Sequence, residues 1–159
     1  MQEYKIDTAE ISTFATKLKA GDKVLLSGDV YTARDAAHKR LLELLERRSS
    51  LPFEINDACI YYAGPTPTPQ GLCIGSCGPT TSSRMDPYSP LLLDLGLKCM
   101  IGKGPRSNTV IESLKKNGAV YLCAIGGAGA LAAKCITDCE VIAFDDLGCE
   151  SIKKLTFKD

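Results

Sequence analysis

Neither sign of charge is in excess in this sequence. Lys+Arg and Asp+Glu both total 19 in 159 residues, so the formal net charge is zero. A nucleic-acid partner leaves a basic imprint on the chain that binds it. None is present, and no block of like charge is long enough to act as a tail. Long apolar runs are also missing. The longest uncharged apolar run, 118–133, is too short and too interrupted by glycine to match the ~20 helical residues that cross a bilayer. The opening residues Met1-Gln2-Glu3-Tyr4-Lys5 are polar and unlike a secretory signal. These absences predict a soluble cytoplasmic protein with no nucleic-acid and no membrane partner.

Cysteine is plentiful, but the spacing that usually gives it a metal is absent. Cys73/Cys77 and Cys135/Cys139 are each separated by three residues, not by the two of common zinc and iron–sulfur motifs. Without an export signal, the eight cysteines are not expected to form a disulfide framework. Cys59, Cys99 and Cys123 lie in apolar, strand-like runs, where a free thiol behaves as a small hydrophobe. No metal site is expected within the chain. A cysteine-based metal module stays as a rival reading, to be decided by metal analysis.

What is there is an ordinary globular balance of 45% hydrophobic and 24% charged residues, enough for one domain spanning 1–159 with a real core. Strand-like and helix-like segments roughly alternate, with no internal repeat, so the fold class is α/β. Strands are predicted at Tyr4–Ile6, Lys23–Ser27, Ala58–Ala63, Lys98–Ile101, Ala119–Ile125, Val141–Phe144 and Ile152–Phe157, with Leu72–Ile74 as a further short one. Helical spacing of apolar residues predicts helices over Thr8–Lys19, from about Thr32 to Arg48, over Pro90–Leu95, from Ser107 or Asn108 to Asn117, and over Ala130–Ile136. Ser27-Gly28-Asp29 reads as a strand break, and Thr32 with Asp35 three positions later reads as a capping box.

The most informative stretch is Gly75-Ser-Cys-Gly-Pro-Thr-Thr-Ser-Ser-Arg-Met-Asp86. After a turn at Gly78-Pro79 it presents hydroxyls, backbone N–H groups and the Arg84 guanidinium together, a set suited to a carboxylate. The plainer alternative is a Ser/Thr-rich loop with a surface Arg. Arg34 falls in the first turn of a helix, where the dipole disfavours a cation, so either an anion lies beside it or it pairs with Asp29 or Asp35. Lys103 stands between two glycines at a strand end, close to a ligand or in an ordinary basic turn. His38, the only histidine, is read as structural. Gly126-Gly127-Ala128-Gly129 invites a nucleotide reading. However, it is not G-x-G-x-x-G, and close helix–strand packing accounts for its glycines more simply.

Four blocks taken in order carry a resemblance. They are Tyr31-Thr-Ala-Arg34-Asp-Ala-Ala-His38, Gly78-Pro-Thr80-Thr81-Ser-Ser-Arg84-Met-Asp86, Ile101-Gly-Lys103-Gly104 and Gly126-Gly-Ala-Gly129-Ala-Leu131. Over about Lys17–Phe157 the chain resembles the β subunit, or C-terminal domain, of class I fumarate hydratase and L(+)-tartrate dehydratase. The resemblance implies a swivelling β/β/α domain, three-layered with mixed sheets. It implies reversible addition of water to a dicarboxylate, fumarate to (S)-malate, or the tartrate reaction. It also implies a four-iron four-sulfur cluster held by three cysteines of a separate α subunit, so that no cofactor binds this chain alone. The assembly would be α2β2, with a homodimer as the alternative for the isolated chain. Arg34, Arg84 and Lys103 would hold substrate carboxylate, Thr81 would orient it, and Thr80 would take the C3 proton.

Overall fold

Alternation along β3 (Cys59–Tyr61) organises the molecule. Successive side chains of a strand point to opposite faces. Cys59 and Tyr61 accordingly join one buried cluster, while Ile60 and Tyr62 join another. The neighbouring strand β4 (Cys99–Gly102) repeats the pattern, with Cys99 and Ile101 on the first side and Met100 on the second. Strands apolar on both faces must be covered on both faces, and that dictates layers on either side of a sheet.

The computed structural model describes all of residues 1–159. Seven strands form one mixed sheet in the order β5-β4-β3-β2-β7-β6, with β1 on β2 outside that path. The remaining strands are β1 (Glu3–Asp7), β2 (Lys23–Thr32), β5 (Val120–Cys123), β6 (Ile136–Ala143) and β7 (Ile152–Phe157). β2, β3, β4 and β5 run parallel, whereas β7 is antiparallel to β2 and β6 antiparallel to β7. Helices α2 (Asp35–Glu46), α3 (Ser89–Asp94) and α4 (Asn108–Asn117) cover one face through Ala37, Leu41, Leu92, Leu93 and Val110. On the other face β1, α1 (Ile11–Ala15) and α5 (Gly129–Lys134) bring Ile6, Ile11 and Ala133 against Val30, Tyr61 and Leu155. The fold is thus α/β and consistent with the three-layer mixed-sheet architecture expected. No helix is long and apolar enough to cross a membrane.

Three local expectations are corrected. β2 does not break at Ser27-Gly28-Asp29 but runs on to Thr32, changing partners there. Lys23–Ser27 pair with β1, and Gly28–Tyr31 pair with β7. Gly28 permits this with φ +104°, and a side chain in its place would strike Thr8 Oγ1. Thr32 is not an N-cap. It is a buried strand residue whose Oγ1 donates to Ser151 O and accepts Lys153 N–H, so the N-cap falls to Arg34, which makes no side-chain cap bond. Leu72–Ile74 forms no strand. Leu72 is exposed, and only Ile74 enters the core.

Candidate functional site

The parallel strands end in register. Thr32, Tyr61, Ile101 and Leu122 stand side by side across β2, β3, β4 and β5. Whatever follows each of them emerges at one edge, the carboxyl edge where open α/β sheets place ligands. Arg34 and Lys103 each lie two residues beyond this row.

The stretch 78–86 is sewn into the same edge. Ala63 and Pro79 form an isolated antiparallel bridge, and Thr80 N–H donates to Tyr62 O at 2.7 Å. Thr81 and Lys103 form a parallel bridge, with Ser82 N–H on Lys103 O at 3.0 Å and Lys103 N–H on Ser82 Oγ at 3.0 Å. Tyr121 O–H donates to Gly104 O at 2.9 Å and lies 2.8 Å from Ser82 Oγ. Gly102 must be glycine because any side chain there would occupy the place of Ser82 Oγ. Backbone pairing therefore docks Thr80 on the end of β3, between the loops that carry Arg34 and Lys103.

Arg84 is the centre of the polar contacts. Its Nε and Nη2 grip Asp35 Oδ1 and Oδ2, each at 3.1 Å, and Nη2 also donates to Thr80 Oγ1 at 2.8 Å. Arg34 pairs with neither Asp29 nor Asp35. Asp29 is 3.9 Å from Lys154 Nζ, and Asp35 is taken by Arg84. The Arg34 side chain lies along Gly64, where a β-carbon would come within 2.9 Å of its Cδ and Nη1, and its buried Nε has no partner. Lys103 takes part in none of the ion pairs and reaches past Gly126, its Nζ 3.7 Å from where a β-carbon would sit. The structure thus brings Arg34, Thr80, Thr81, Arg84 and Lys103 to one edge and links Thr80 directly to Arg84 alone among them.

His38 lies beneath this edge. Its Nδ1–H donates to Arg34 O at 2.8 Å, which leaves Nε2 buried with a lone pair and no partner. Tyr62 and Tyr88 pack against the ring. Burial pushes the pKa down to about 4, against a smaller opposing effect of the Arg34 carbonyl. The folded chain therefore resists protonation more than the unfolded chain does. Stability from this group is complete above pH ~6.5 and is lost as pH falls towards 4, by about 3 kcal/mol in all. Urea unfolding at pH 7 and pH 4.5 should show that His38→Gln flattens this acid dependence. Equal slopes in parent and variant would refute it.

Sequence reasoning missed Arg106. It is buried, with its Nε 2.7 Å from Asp86 Oδ1 and its Nη2 2.7 Å from Ser89 Oγ. It ties the 3-10 turn Ser82–Met85 to the sheet, and no motif or spacing around residue 106 signalled that it would be buried and paired.

The Gly-rich turn serves geometry at two of its positions. Gly129 lies so close to the central loop that a β-carbon would come within 2.8 Å of Gly78 N, and Cys77 N–H donates to Gly129 O at 3.0 Å. Its close neighbour is thus that loop and not a strand. Gly127 has φ +78° with open space around it. Gly127→Ala should therefore cost about 1 kcal/mol through backbone strain alone, read by denaturant unfolding. An unchanged midpoint would contradict the positive φ. Gly126 shows neither constraint.

The residues do not provide a metal centre. No three His, Cys, Asp or Glu side chains are grouped to hold an ion, and all eight cysteines are free. Cys59 and Cys99 are buried opposite one another on β3 and β4, whereas Cys123, expected in an apolar strand interior, is exposed at the end of β5.

Along one strand-end edge this α/β domain thus gathers three cations and a guanidinium-bound threonine, groups of the kind suited to an anion. The chain belongs to the Fumarase C-terminus family, whose model matches residues 1–159. It is 41% identical over 152 residues to the anaerobic class I fumarate hydratase of Escherichia coli K12, covering 94% of this chain and 28% of that protein. It is 40% identical over 141 residues to fumarate hydratase 2 of Leishmania major, covering 87% and 25% respectively. A protein of Methanocaldococcus jannaschii, provisionally named as an L(+)-tartrate dehydratase subunit beta, is 39% identical over 137 residues, covering 83% and 70%. The chain thus spans about a quarter of the length of the fumarate hydratases it matches.

Proposed function

We propose that this chain is the β half of a hydro-lyase that interconverts fumarate and (S)-malate. In this reading Arg34, Arg84 and Lys103 hold the dicarboxylate, Thr81 orients it, and Thr80 accepts the C3 proton of malate. A subunit name for the relative of which this chain covers 70% supports a separate partner, the α subunit; the reading places the two in an α2β2 assembly. The iron–sulfur cluster of the resemblance has no ligand set among these residues and is assigned to that partner. The departing hydroxyl is likewise assigned to the partner.

The observation that carries the proposal is Arg84 Nη2 on Thr80 Oγ1 at 2.8 Å. A threonine hydroxyl is a poor base at its ordinary acidity. A guanidinium donating to its oxygen favours the alkoxide over the hydroxyl. Because Thr80 Oγ1 only accepts in that bond, its own proton is free to pass to an acidic residue of the partner. The alkoxide then takes the proton from C3 while the cations fix the dianion's orientation.

The test is co-expression with an α subunit and anaerobic assay with fumarate, malate and tartrates. Each of Arg34→Ala, Arg84→Ala and Lys103→Ala should lower kcat/KM by roughly 10- to 150-fold, the effect of losing one charge-assisted hydrogen bond. Normal efficiency in all three would defeat the reading. Preferred turnover of tartrate would move it to the L(+)-tartrate dehydratase reaction, which the 39% identity to the Methanocaldococcus protein keeps in view.

A further inference from the structure

We propose that Asp35 is a positioning residue that decides which edge of the Arg84 guanidinium faces the substrate. The inference rests on the roles just proposed for Arg84 and Thr80. A guanidinium has two edges able to grip a carboxylate: the side edge, Nε with one terminal nitrogen, and the end edge, the two terminal nitrogens. Asp35 fills the side edge, with Oδ1 on Nε and Oδ2 on Nη2, both at 3.1 Å. The second N–H of Nη2 goes to Thr80 Oγ1 at 2.8 Å. Nη1 hydrogen-bonds to nothing in the chain, so the end edge is left facing the side on which Thr80 lies. A carboxylate bound there through Nη1 would lie beside the oxygen that takes the proton.

Asp35 is itself well placed for this task. It is the first residue of α2, where a carboxylate suits the helix dipole, and it directly follows Arg34. One helix start therefore carries both a proposed substrate cation and the anchor of a second, although Asp35 and Arg84 are 49 residues apart in sequence. Without Asp35 the side edge would be vacant. Substrate could then bind either edge, and the bond from Nη2 to Thr80 would lose its fixed direction.

The Asp35 and Arg84 side chains are 41% and 47% exposed. An exposed ion pair contributes little to folding. Asp35→Ala should therefore leave the unfolding midpoint close to that of the parent, which separates positioning from mere structure. In the complex reconstituted with an α subunit, Asp35→Ala should lower kcat by about 10- to 100-fold, with KM within about threefold, and slow exchange of the malate C3 proton in parallel. Asp35→Glu, which keeps a bidentate acceptor, should recover part of the loss. Lower KM with unchanged kcat would overturn the proposal, because Asp35 would then be a placeholder that substrate displaces. An unchanged Asp35→Ala alongside impaired Arg84→Ala and Thr80→Val would overturn the Asp35 proposal and leave the proposed function standing. Unimpaired Arg84→Ala would also overturn the Asp35 proposal, and the proposed function falls with it only if Arg34→Ala and Lys103→Ala are unimpaired as well.

Discussion

Thr80→Val, assayed in the complex with an α subunit, is expected to lose about 10²- to 10⁴-fold in kcat, the range associated with removing a positioned proton acceptor. Substrate affinity should stay near that of the parent. Valine keeps the shape of threonine and removes only Oγ1, the atom that receives the Arg84 Nη2 donor. The backbone contacts that seat residue 80 do not involve Oγ1. They are its N–H on Tyr62 O at 2.7 Å and the Ala63–Pro79 bridge beside it. The substitution should therefore leave the fold and the three cations in place. That predicts a kinetic signature opposite to that of the clamp variants, because an interaction used only in the transition state lowers kcat and kcat/KM together. Equilibrium binding of a dicarboxylate separates the two cases. Near-normal turnover in Thr80→Val would remove the proton from this residue's account and leave Arg84 as a carboxylate ligand only.

The sheet and the gathering of the site on its edge were legible because both follow from local pattern. An apolar run such as Ala58–Ala63 becomes a strand region buried throughout, and the polar residues after such runs emerge at strand ends. Alternation of strand and helix makes those ends parallel, so Arg34 and Lys103 are bound to meet at one edge. What was not legible depends on partners distant in sequence. Thr32 looks like a helix cap by its neighbours, yet Ser151 and Lys153, about 120 residues away, claim its hydroxyl. β2 continues through Gly28 because β1 and β7 pair with its two halves in turn, and no local propensity encodes that exchange. Leu72–Ile74 has the composition of a strand but pairs with no strand of the sheet. Asp35 appeared as a cap acid, while its actual partner, Arg84, belongs to another segment. In each case the composition was read correctly and the tertiary partner decided the role.

Arg106→Met should destabilise the isolated chain by about 3–5 kcal/mol, the typical cost of breaking a buried ion pair by removing one member. The Arg106 and Asp86 side chains are only 2% and 13% exposed. Asp86 would be left with Oδ2 on Ser107 N–H at 2.8 Å and nothing on Oδ1. Methionine fills the space between Tyr62 and Tyr121, whose ring faces now hold the guanidinium at 5.3 and 4.9 Å, so the loss should reflect the stranded carboxylate more than a cavity. Adding Asp86→Asn to Arg106→Met should then restore part of the stability, since the second change removes the unpaired charge. Arg106→Lys should remain destabilised despite keeping the charge. A lysine cannot reach Asp86 and Ser89 with one planar fork. Urea unfolding of the four proteins measures all of this, and a loss below about 1 kcal/mol for Arg106→Met would place the pair among exposed ion pairs in energetic terms. Asp86 closes the loop that begins at Thr80, and Arg106 follows Lys103 by three residues. Their bond therefore fixes the spacing of the two loops that carry the proposed proton acceptor and the third cation. Variants that fold but lack it should bind dicarboxylate weakly even though neither residue is among the proposed substrate ligands.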